Sequence, residues 1–347
     1  MRICPALLTG LTAPLWLSAG LVTVLPLAAH AQGFEDVGTR AQGMAGAFVA
    51  VADDATASWW NPAGLATGAY FNVIFEKGRV HEPEDYAGAD PARRLGMSGF
   101  AAAFPALGVS YYRLRVSEIA GTSTTAAGTG DREELGGAEG RVRSRSVSQF
   151  GTTVGQSFGG HVVLGATLKL VRAGAASAPV DASNDPLDLG DDLDISRGTR
   201  TDLDIGAMVS FRHLRLGLSV RNLTDPDFGD GDERFTLERQ ARAGVALLTT
   251  AGGTVSGLTL AADVDLTRQA TLLGEARRAA VGAEAMLLGR RLAVRGGLSV
   301  NTLDDRGRTT TTGISVAPLS GVYIEGARTF GSDKSMRGWS STIRLTF

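Results

Sequence analysis

The sequence predicts an all-β protein, a transmembrane β-barrel of about 14 antiparallel strands with an N-terminal luminal hatch. Three observations predict this fold class: about fourteen segments alternate apolar and polar residues, their connections alternate in length, and the last segment ends on Phe347. A period of two places alternate side chains on opposite faces of a strand. Strands of about 9–11 residues, joined alternately by short turns and long loops, are typical of outer-membrane barrels.

The residues before the predicted barrel begin with a targeting signal. Arg2 precedes a long apolar stretch, and Ala29 and Ala31 form an A-x-A cleavage pattern. Residues 1–31 are therefore predicted to be a cleaved signal peptide; an uncleaved membrane anchor is the less favoured interpretation. The single cysteine, Cys4, lies in this segment, so the mature chain would carry no thiol for a disulfide, a metal site or a nucleophile. We expect Sec-type export and a final location in a Gram-negative type outer membrane.

Residues 32–68 do not alternate like strands, and the strands are predicted to occupy residues 69–347. The segment is too apolar for a free tail, and irregular backbone cannot cross lipid because unpaired amides there are costly. A barrel of about fourteen strands also has a lumen too wide for wall side chains to fill. We therefore predict that residues 32–68 form a plug inside the barrel.

The strands themselves are predicted from alternation. In residues 291–300, Leu292 and Val294 fall on one face, whereas Arg291 and Arg295 fall on the other. A soluble sandwich is the competing fold, but long strands and strict alternation of loop lengths favour the barrel. Phe235, Phe330 and Trp339 are expected in an outer aromatic girdle. The strands are predicted to begin near residues 69, 95, 106, 145, 160, 200, 213, 234, 257, 276, 291, 308, 320 and 337.

The segment from Ala41 reads Ala-Gln-Gly-Met-Ala-Gly-Ala-Phe-Val-Ala-Val-Ala-Asp-Asp-Ala, and Asn61-Pro62-Ala63 follows it. This pattern resembles the N-terminal hatch of the long-chain fatty acid transporter (FadL-type) superfamily of outer-membrane barrels. It is most similar to the PorV/PorQ and plasmid-transfer TraF-like branches. The resemblance implies a monomeric barrel with a luminal hatch. In transporter members of that superfamily, hydrophobic ligands bind in the lumen and leave sideways through the wall.

The hatch supplies one set of candidate residues. Pro62 fixes a turn in which Asn61 can bond nearby backbone, and the tryptophans offer large apolar faces with one N–H donor each. The acidic pair could bind inward-facing arginines. Holding the plug in place is the favoured role for these residues, and direct ligand contact is the alternative. The candidates are Phe48, Asp53, Asp54, Trp59, Trp60, Asn61 and Pro62.

Charged residues on the polar faces of the strands supply a second set, predicted to line the lumen. Cross-wall pairing between neighbouring strands is favoured over a polar conduit, because opposite charges across strands attract. Phe347, at the end of an alternating terminal strand, resembles the signal read by the barrel assembly machinery. The lumen-lining candidates are Lys169, Asp202, Asp204, Arg215, Arg221, Arg242, Asp263, Asp265, Arg278, Glu284, Arg295, Glu325 and Arg344.

Other function classes find little support in the sequence. A net charge of −2 offers no field for nucleic acid. The three histidines of the mature chain are not expected near a shared cleft, so we predict no enzyme activity, and no cofactor is expected. Acidic loops at residues 181–194 and 225–233 lack the EF-hand pattern; solvated loops are favoured over calcium bridging to lipopolysaccharide.

Two functions remain open from the sequence. The first is a passive channel or transporter for small hydrophobic compounds, and an apolar pocket beside Trp59 and Trp60 would favour it. The second is a non-transporting, PorV-like barrel that binds a partner protein, such as a secreted client, in secretion or envelope assembly. A sealed lumen would favour this second role. In both cases the expected partners include outer-membrane lipid and the barrel assembly machinery.

Overall fold

The computed structural model describes residues 37–80, 92–119, 141–180, 186–250, 252–271, 274–303, 307–332 and 336–347. The predicted signal peptide lies outside these residues. The helices are α1 (Thr39–Gly43), α2 (Ala57–Trp60) and α3 (Pro186–Asp192), with a 3-10 helix at Pro62–Thr67. The strands are β1 (Asn72–Val80), β2 (Ala92–Phe104), β3 (Leu107–Ile119), β4 (Arg141–Phe158), β5 (Val162–Pro179), β6 (Gly198–Phe211), β7 (Leu214–Arg221), β8 (Asp227–Phe228), β9 (Phe235–Thr236), β10 (Gln240–Thr250), β11 (Val255–Asp265), β12 (Gln269–Thr271), β13 (Gly274–Ala276), β14 (Arg278–Leu287), β15 (Leu292–Asn301), β16 (Thr309–Leu319), β17 (Val322–Gly331) and β18 (Gly338–Thr346).

Fourteen of these strands form one closed antiparallel barrel, which confirms the predicted fold class. The barrel closes between β1 and β18, whose register runs from Asn72 opposite Thr346 to Val80 opposite Gly338. Just below, the N–H of Phe71 donates to the carbonyl of Phe347, and the N–H of Phe347 donates back to Phe71. Closure leaves no unpaired edge in the barrel, so every strand satisfies its backbone on both sides.

The inner and outer faces of the wall differ as the alternation predicts. On β5, Thr167 and Lys169 are buried toward the lumen, whereas Leu164, Leu168 and Leu170 are exposed on the outside. Apolar side chains on the outer face suit contact with lipid, and polar side chains on the inner face suit a lumen. Among the described helices, none is long and apolar enough to span a membrane.

The two ends of the barrel are different. The first barrel strand begins at Asn72 and the last one ends at Thr346. Both residues lie on the side of the barrel that carries the short connections, such as the one between Phe104 and Leu107. The longer connections, including the one between β3 and β4, lie at the opposite end. In outer-membrane barrels the short turns face the periplasm and the long loops face outward.

Two predictions are wrong: the starting residue of one strand and the location of one aromatic residue. The strand expected near residue 234 is β10, which begins at Gln240. Phe235 instead belongs to β9, which pairs with β8 in a small hairpin of the β7–β10 connection. Phe235 is buried against Phe228 and belongs to an apolar cluster with Val147 and Val171. It is therefore a core residue of this hairpin and not part of an aromatic girdle.

The segment from Val37 to Gly68 lies inside the barrel. α1 contacts β15–β18, and the 3-10 helix contacts β3–β6, so the segment reaches across the lumen to opposite parts of the wall. Nearly all of its residues up to Leu65 are buried. We call residues 37–68 the hatch. α3, by contrast, packs on the outside of the wall, where Leu187 contacts Ile119 and Val142.

Candidate functional site

The Asn-Pro-Ala motif forms a turn of the hatch. Asn61 has an extended backbone, and its side chain accepts a hydrogen bond from the N–H of Ala63, while Pro62 occupies the first position of the 3-10 helix. The fully buried Asn61 amide also donates to the carbonyl of Val49 at 2.9 Å and to the carbonyl of Ala207 at 3.2 Å. One side chain therefore caps a helix, ties two parts of the hatch together and joins the hatch to β6.

Glycines in the wall leave the space that this turn occupies. A Cβ placed on Gly206 would lie 2.1 Å from the Asn61 side-chain oxygen, and one placed on Gly165 would lie 2.3 Å from the carbonyl carbon of Pro62. No larger residue fits at either position without moving the hatch. The hatch backbone therefore packs directly on the backbone of β5 and β6.

The two tryptophans are buried in contacts between hatch and wall. Trp59 packs edge-to-face on Tyr112 with ring centroids 5.3 Å apart, and the Arg221 guanidinium lies 3.6 Å from its ring centroid. The Trp60 indole N–H donates to the carbonyl of Val37 at 3.0 Å, and its ring contacts Phe48. Aromatic pairs and cation–π contacts of this kind stabilise packing when they are shielded from water.

The acidic pair of the hatch binds an arginine of the hatch itself. Arg40 contacts Asp53 at 2.5 Å and Asp54 at 3.4 Å, so the arginine that contacts this pair belongs to the hatch and not to the wall. Arg40 also reaches the wall, where its guanidinium contacts Glu284 at 2.7 Å. Burial lowers the pKa of Arg40, but the carboxylates of Asp53 and Glu284 outweigh it and raise that pKa above its ordinary value.

From Glu284 a chain of ion pairs runs along the wall. Glu284 lies directly opposite Arg295 on β15 and contacts it at 2.5 Å. Arg295 approaches Glu325 at 3.8 Å, and Glu325 contacts Arg344 at 2.7 Å. These side chains alternate in sign across four strands, so each buried charge has a neighbour of opposite sign.

Two further carboxylates hold backbone N–H groups of the hatch. A single Asp263 oxygen accepts hydrogen bonds from the N–H groups of Phe48 and Val49, both at 2.8 Å. Glu76 on β1 accepts from the N–H of Gly38 at 3.0 Å and from the N–H of Thr39 at 3.3 Å. Sequence analysis missed Glu76, although its place between Phe75 and Lys77 in an alternating strand would have put it on the inner face.

The remaining lumen-lining candidates lie on β5–β7, β10, β11 and β14. Lys169 lies directly opposite Asp202 at 2.8 Å and also contacts Asp204 at 2.7 Å. Arg242 lies directly opposite Asp265 at 2.6 Å. Two more candidates lie at strand starts: Arg215 is half-buried in β7, and the backbone N–H of Arg278 in β14 donates to Asp265.

A cavity of about 390 Å³ lies between the hatch and β14–β18 at the short-turn end. Charged groups of the hatch and wall line one part of it, including Arg40, Asp53 and Arg344, and Met286 and Tyr323 are among its apolar and aromatic lining. Its mixed lining suits a passage or vestibule better than a tight site for one ligand.

The described parts of the two acidic loops use their carboxylates for ion pairs. In residues 225–233, Asp225 contacts Arg239 at 2.6 Å and Asp227 contacts Arg234 at 2.7 Å. In α3, Asp188 contacts Arg94 at 2.6 Å. Within the described residues, no group of three or more His, Cys, Asp or Glu side chains is placed to hold a metal ion. Residues 181–185 lie outside the described part of the chain.

Comparison with known proteins adds a family to this geometry. The model of the family "F plasmid transfer operon, TraF, protein" matches residues 83–265, which is more than half of the chain. The chain belongs to this TraF family. A search of curated proteins finds no match to it. The predicted similarity to the TraF-like branch is therefore confirmed, and that to the PorV/PorQ branch stays a prediction.

Solved structures similar to this TraF-family protein share its whole architecture at low sequence identity. The Ralstonia pickettii toluene transporter TbuX is 11% identical with a TM-score of 0.54, and the match covers 91% of this chain and 99% of that one. The CymD monoaromatic hydrocarbon channel is 10% identical with a TM-score of 0.59, covering 90% and 97%. The P. putida toluene transporter TodX is 12% identical with a TM-score of 0.56, covering 91% and 99%. The fold is thus that of FadL-type outer-membrane barrels.

Proposed function

We propose that this protein is an outer-membrane channel for small hydrophobic compounds, in which displacement of the hatch opens the path. The observation that carries the proposal is that the barrel closes without the hatch. β1 and β18 complete the ladder by themselves. The hatch is held by exchangeable polar contacts, such as those of Arg40 and Asp263. Moving it therefore breaks no barrel hydrogen bond.

The substrate class is argued from the fold and from the hatch residues. Proteins with this architecture include barrels named as toluene transporters and as a monoaromatic hydrocarbon channel. We propose that Phe48, Trp59 and Trp60 offer their aromatic faces to the compound when the hatch moves, and that the cavity at the short-turn end is the exit. The second role considered from the sequence, binding of a partner protein, gains no support from the comparisons.

A disulfide lock tests the proposal. A Cβ placed on Gly43 of the hatch lies 3.3 Å from the Cα of Gly313 on β16, and one placed on Gly313 lies 3.1 Å from the Cα of Gly43. Two cysteines at these positions therefore lie next to each other, and oxidation can join them once the backbones separate by a few tenths of an ångström. The chain's one native cysteine, Cys4, lies in the predicted signal peptide, so it offers no competing partner in the mature protein.

The assay is uptake of labelled toluene by Gram-negative host cells that display the barrel. We expect wild type to raise uptake above the empty host, the oxidised Gly43→Cys/Gly313→Cys variant to fall to the empty-host level, and reduction to restore uptake. Each single cysteine variant serves as the control for steric damage. Equal uptake by wild-type cells and the empty host would overturn the substrate class, and full uptake by the oxidised double variant would overturn the moving hatch.

A further inference from the structure

The outer face of β1–β4 carries a row of aromatic side chains. The strand register places Phe75, Phe100, Tyr111 and Phe150 next to one another on four consecutive strands. All four are at least 36% exposed on the outside of the barrel. Neighbouring rings lie close, with centroids 6.4 Å apart for Phe75 and Phe100 and 6.2 Å apart for Phe100 and Tyr111. We call these four residues the aromatic row.

A row of basic and hydroxyl side chains lies two residues nearer the long-loop end of each strand. Its members share the outer face with the aromatic row, because side chains two apart point the same way. Basic residues stand on alternate strands and serines stand between them. The register orders this basic row as Lys77, Ser98, Arg113, Ser148 and Arg172, from β1 to β5.

In the part of the chain that the structure describes, no protein group neutralises the charges of the basic row. Within the described residues, no carboxylate forms an ion pair with Lys77, Arg113 or Arg172. The next two rows outward differ. Arg115, in the first of them, contacts Asp191 and a carbonyl of α3, and Arg94, in the second, contacts Asp188 and Asp191. The helix on the outer wall therefore covers the outermost arginines and leaves the basic row open.

An opening in the wall surface adjoins the basic row. Gly96 lies between Arg79 and Arg115 in the register, and a Cβ placed on it would meet no heavy atom within 4 Å. The outer surface is therefore open at this position, between two arginine positions of the wall. The open surface leaves room for a phosphate or a sugar ring.

Two other strands show that a lipid-facing wall does not need these charges. The outward positions of β7 and β11 are occupied by apolar residues, including Leu216, Leu218, Leu260 and Val264. Basic side chains on the lipid face cost free energy that depends on their depth, unless they extend to the interface or meet an anion. A one-sided basic row beside an aromatic row thus needs a compensating ligand.

We propose that this face binds a phosphorylated glycolipid of the outer leaflet, with its phosphates on the basic row and its acyl chains along the aromatic row. Arg113 and Arg172 offer paired N–H donors that match phosphate geometry, and Ser148 lies between them as a hydroxyl donor. Neighbouring strands are about 4.8 Å apart, so cations on alternate strands are spaced by about 10 Å and can contact separate phosphates of one headgroup.

Native mass spectrometry of the purified full-length barrel tests the proposal, with diphosphoryl lipid A added in detergent. The test variant is Arg113→Ser/Arg172→Ser, whose substitutions lie on the outer wall away from the hatch. The control is Arg212→Asn/Arg291→Ser, which removes the same charge from exposed turns at the short-turn end. Heat-dependent mobility on gels verifies that each variant is a folded barrel.

We expect wild type and control to hold one lipid A per barrel, and the test variant to bind at least tenfold more weakly. Lipid A without phosphates and phosphatidylethanolamine should bind wild type no better than the test variant. Equal lipid A affinity of the test and control variants would overturn the proposal. A protein crosslinked to a photoreactive residue at Ser98 in native membranes, in place of lipid A, would overturn it as well.

Discussion

Asp263 offers the sharpest test of how the hatch is held. Its one oxygen accepts both buried N–H groups of Phe48 and Val49 at 2.8 Å. Hydrogen bonds to a charged acceptor contribute about 1.5–3 kcal/mol each, so Asp263→Ala should weaken the closed hatch by at least about 3 kcal/mol. That free energy corresponds to roughly a hundredfold rise in the open population. Asp263→Asn keeps an acceptor oxygen in the same place, and it should lose much less.

Hydrogen exchange followed by mass spectrometry measures this population directly. Peptides that contain Phe48 and Val49 should exchange about a hundredfold faster in Asp263→Ala than in wild type, because amides exchange only when their bonds open. The peptides of β5 and β6 should not change, since the barrel ladder does not depend on Asp263. Unchanged exchange in Asp263→Ala would refute the reasoning. So would equal acceleration in the alanine and asparagine variants, because the acceptor oxygen would then not matter.

Three further outcomes follow from the contacts of the hatch and the closing strand. Gly206→Val should clash with Asn61 and displace the hatch, so that proteases cut the hatch. In the control Gly296→Val, whose new side chain lies on the outer face, the hatch should stay resistant to proteases. Arg40→Met should leave the buried Asp54 without its arginine and should remove one of the two arginines that contact Glu284. We expect a cost of about 3–5 kcal/mol in the free energy that holds the hatch, measured by denaturant-dependent hatch proteolysis. Phe347→Ala should lower the amount of heat-modifiable barrel in the outer membrane without changing total expression.

The alternation of apolar and polar residues was sufficient to predict the wall. In β5 and β11 the alternation of apolar and polar residues predicts which side chains face the lumen, and the buried and exposed residues alternate in the same way. The rule failed where a short local pattern mimicked a strand. Phe235 begins such a pattern, but its pairing with Phe228 in a hairpin could not be read from a single segment.

The contacts of the hatch show the limit of sequence reasoning. Asn61 could be assigned to a turn because proline and an adjacent amide determine local backbone. The partner of Arg40 could not be assigned, because Glu284 lies 244 positions away and many carboxylates face the lumen. Such a choice depends on how the hatch is placed in the barrel.

The sequence by itself determined the fold class, the fourteen-stranded wall and the presence of a plug, because these depend on local periodicity and on the solvation of backbone groups. Only the tertiary structure decided which carboxylate holds which part of the hatch. It also brought Lys77, Arg113 and Arg172 into one row on the outer wall. Those arrangements arise from barrel closure and strand register, which join residues far apart in the chain and leave no signal in any one segment.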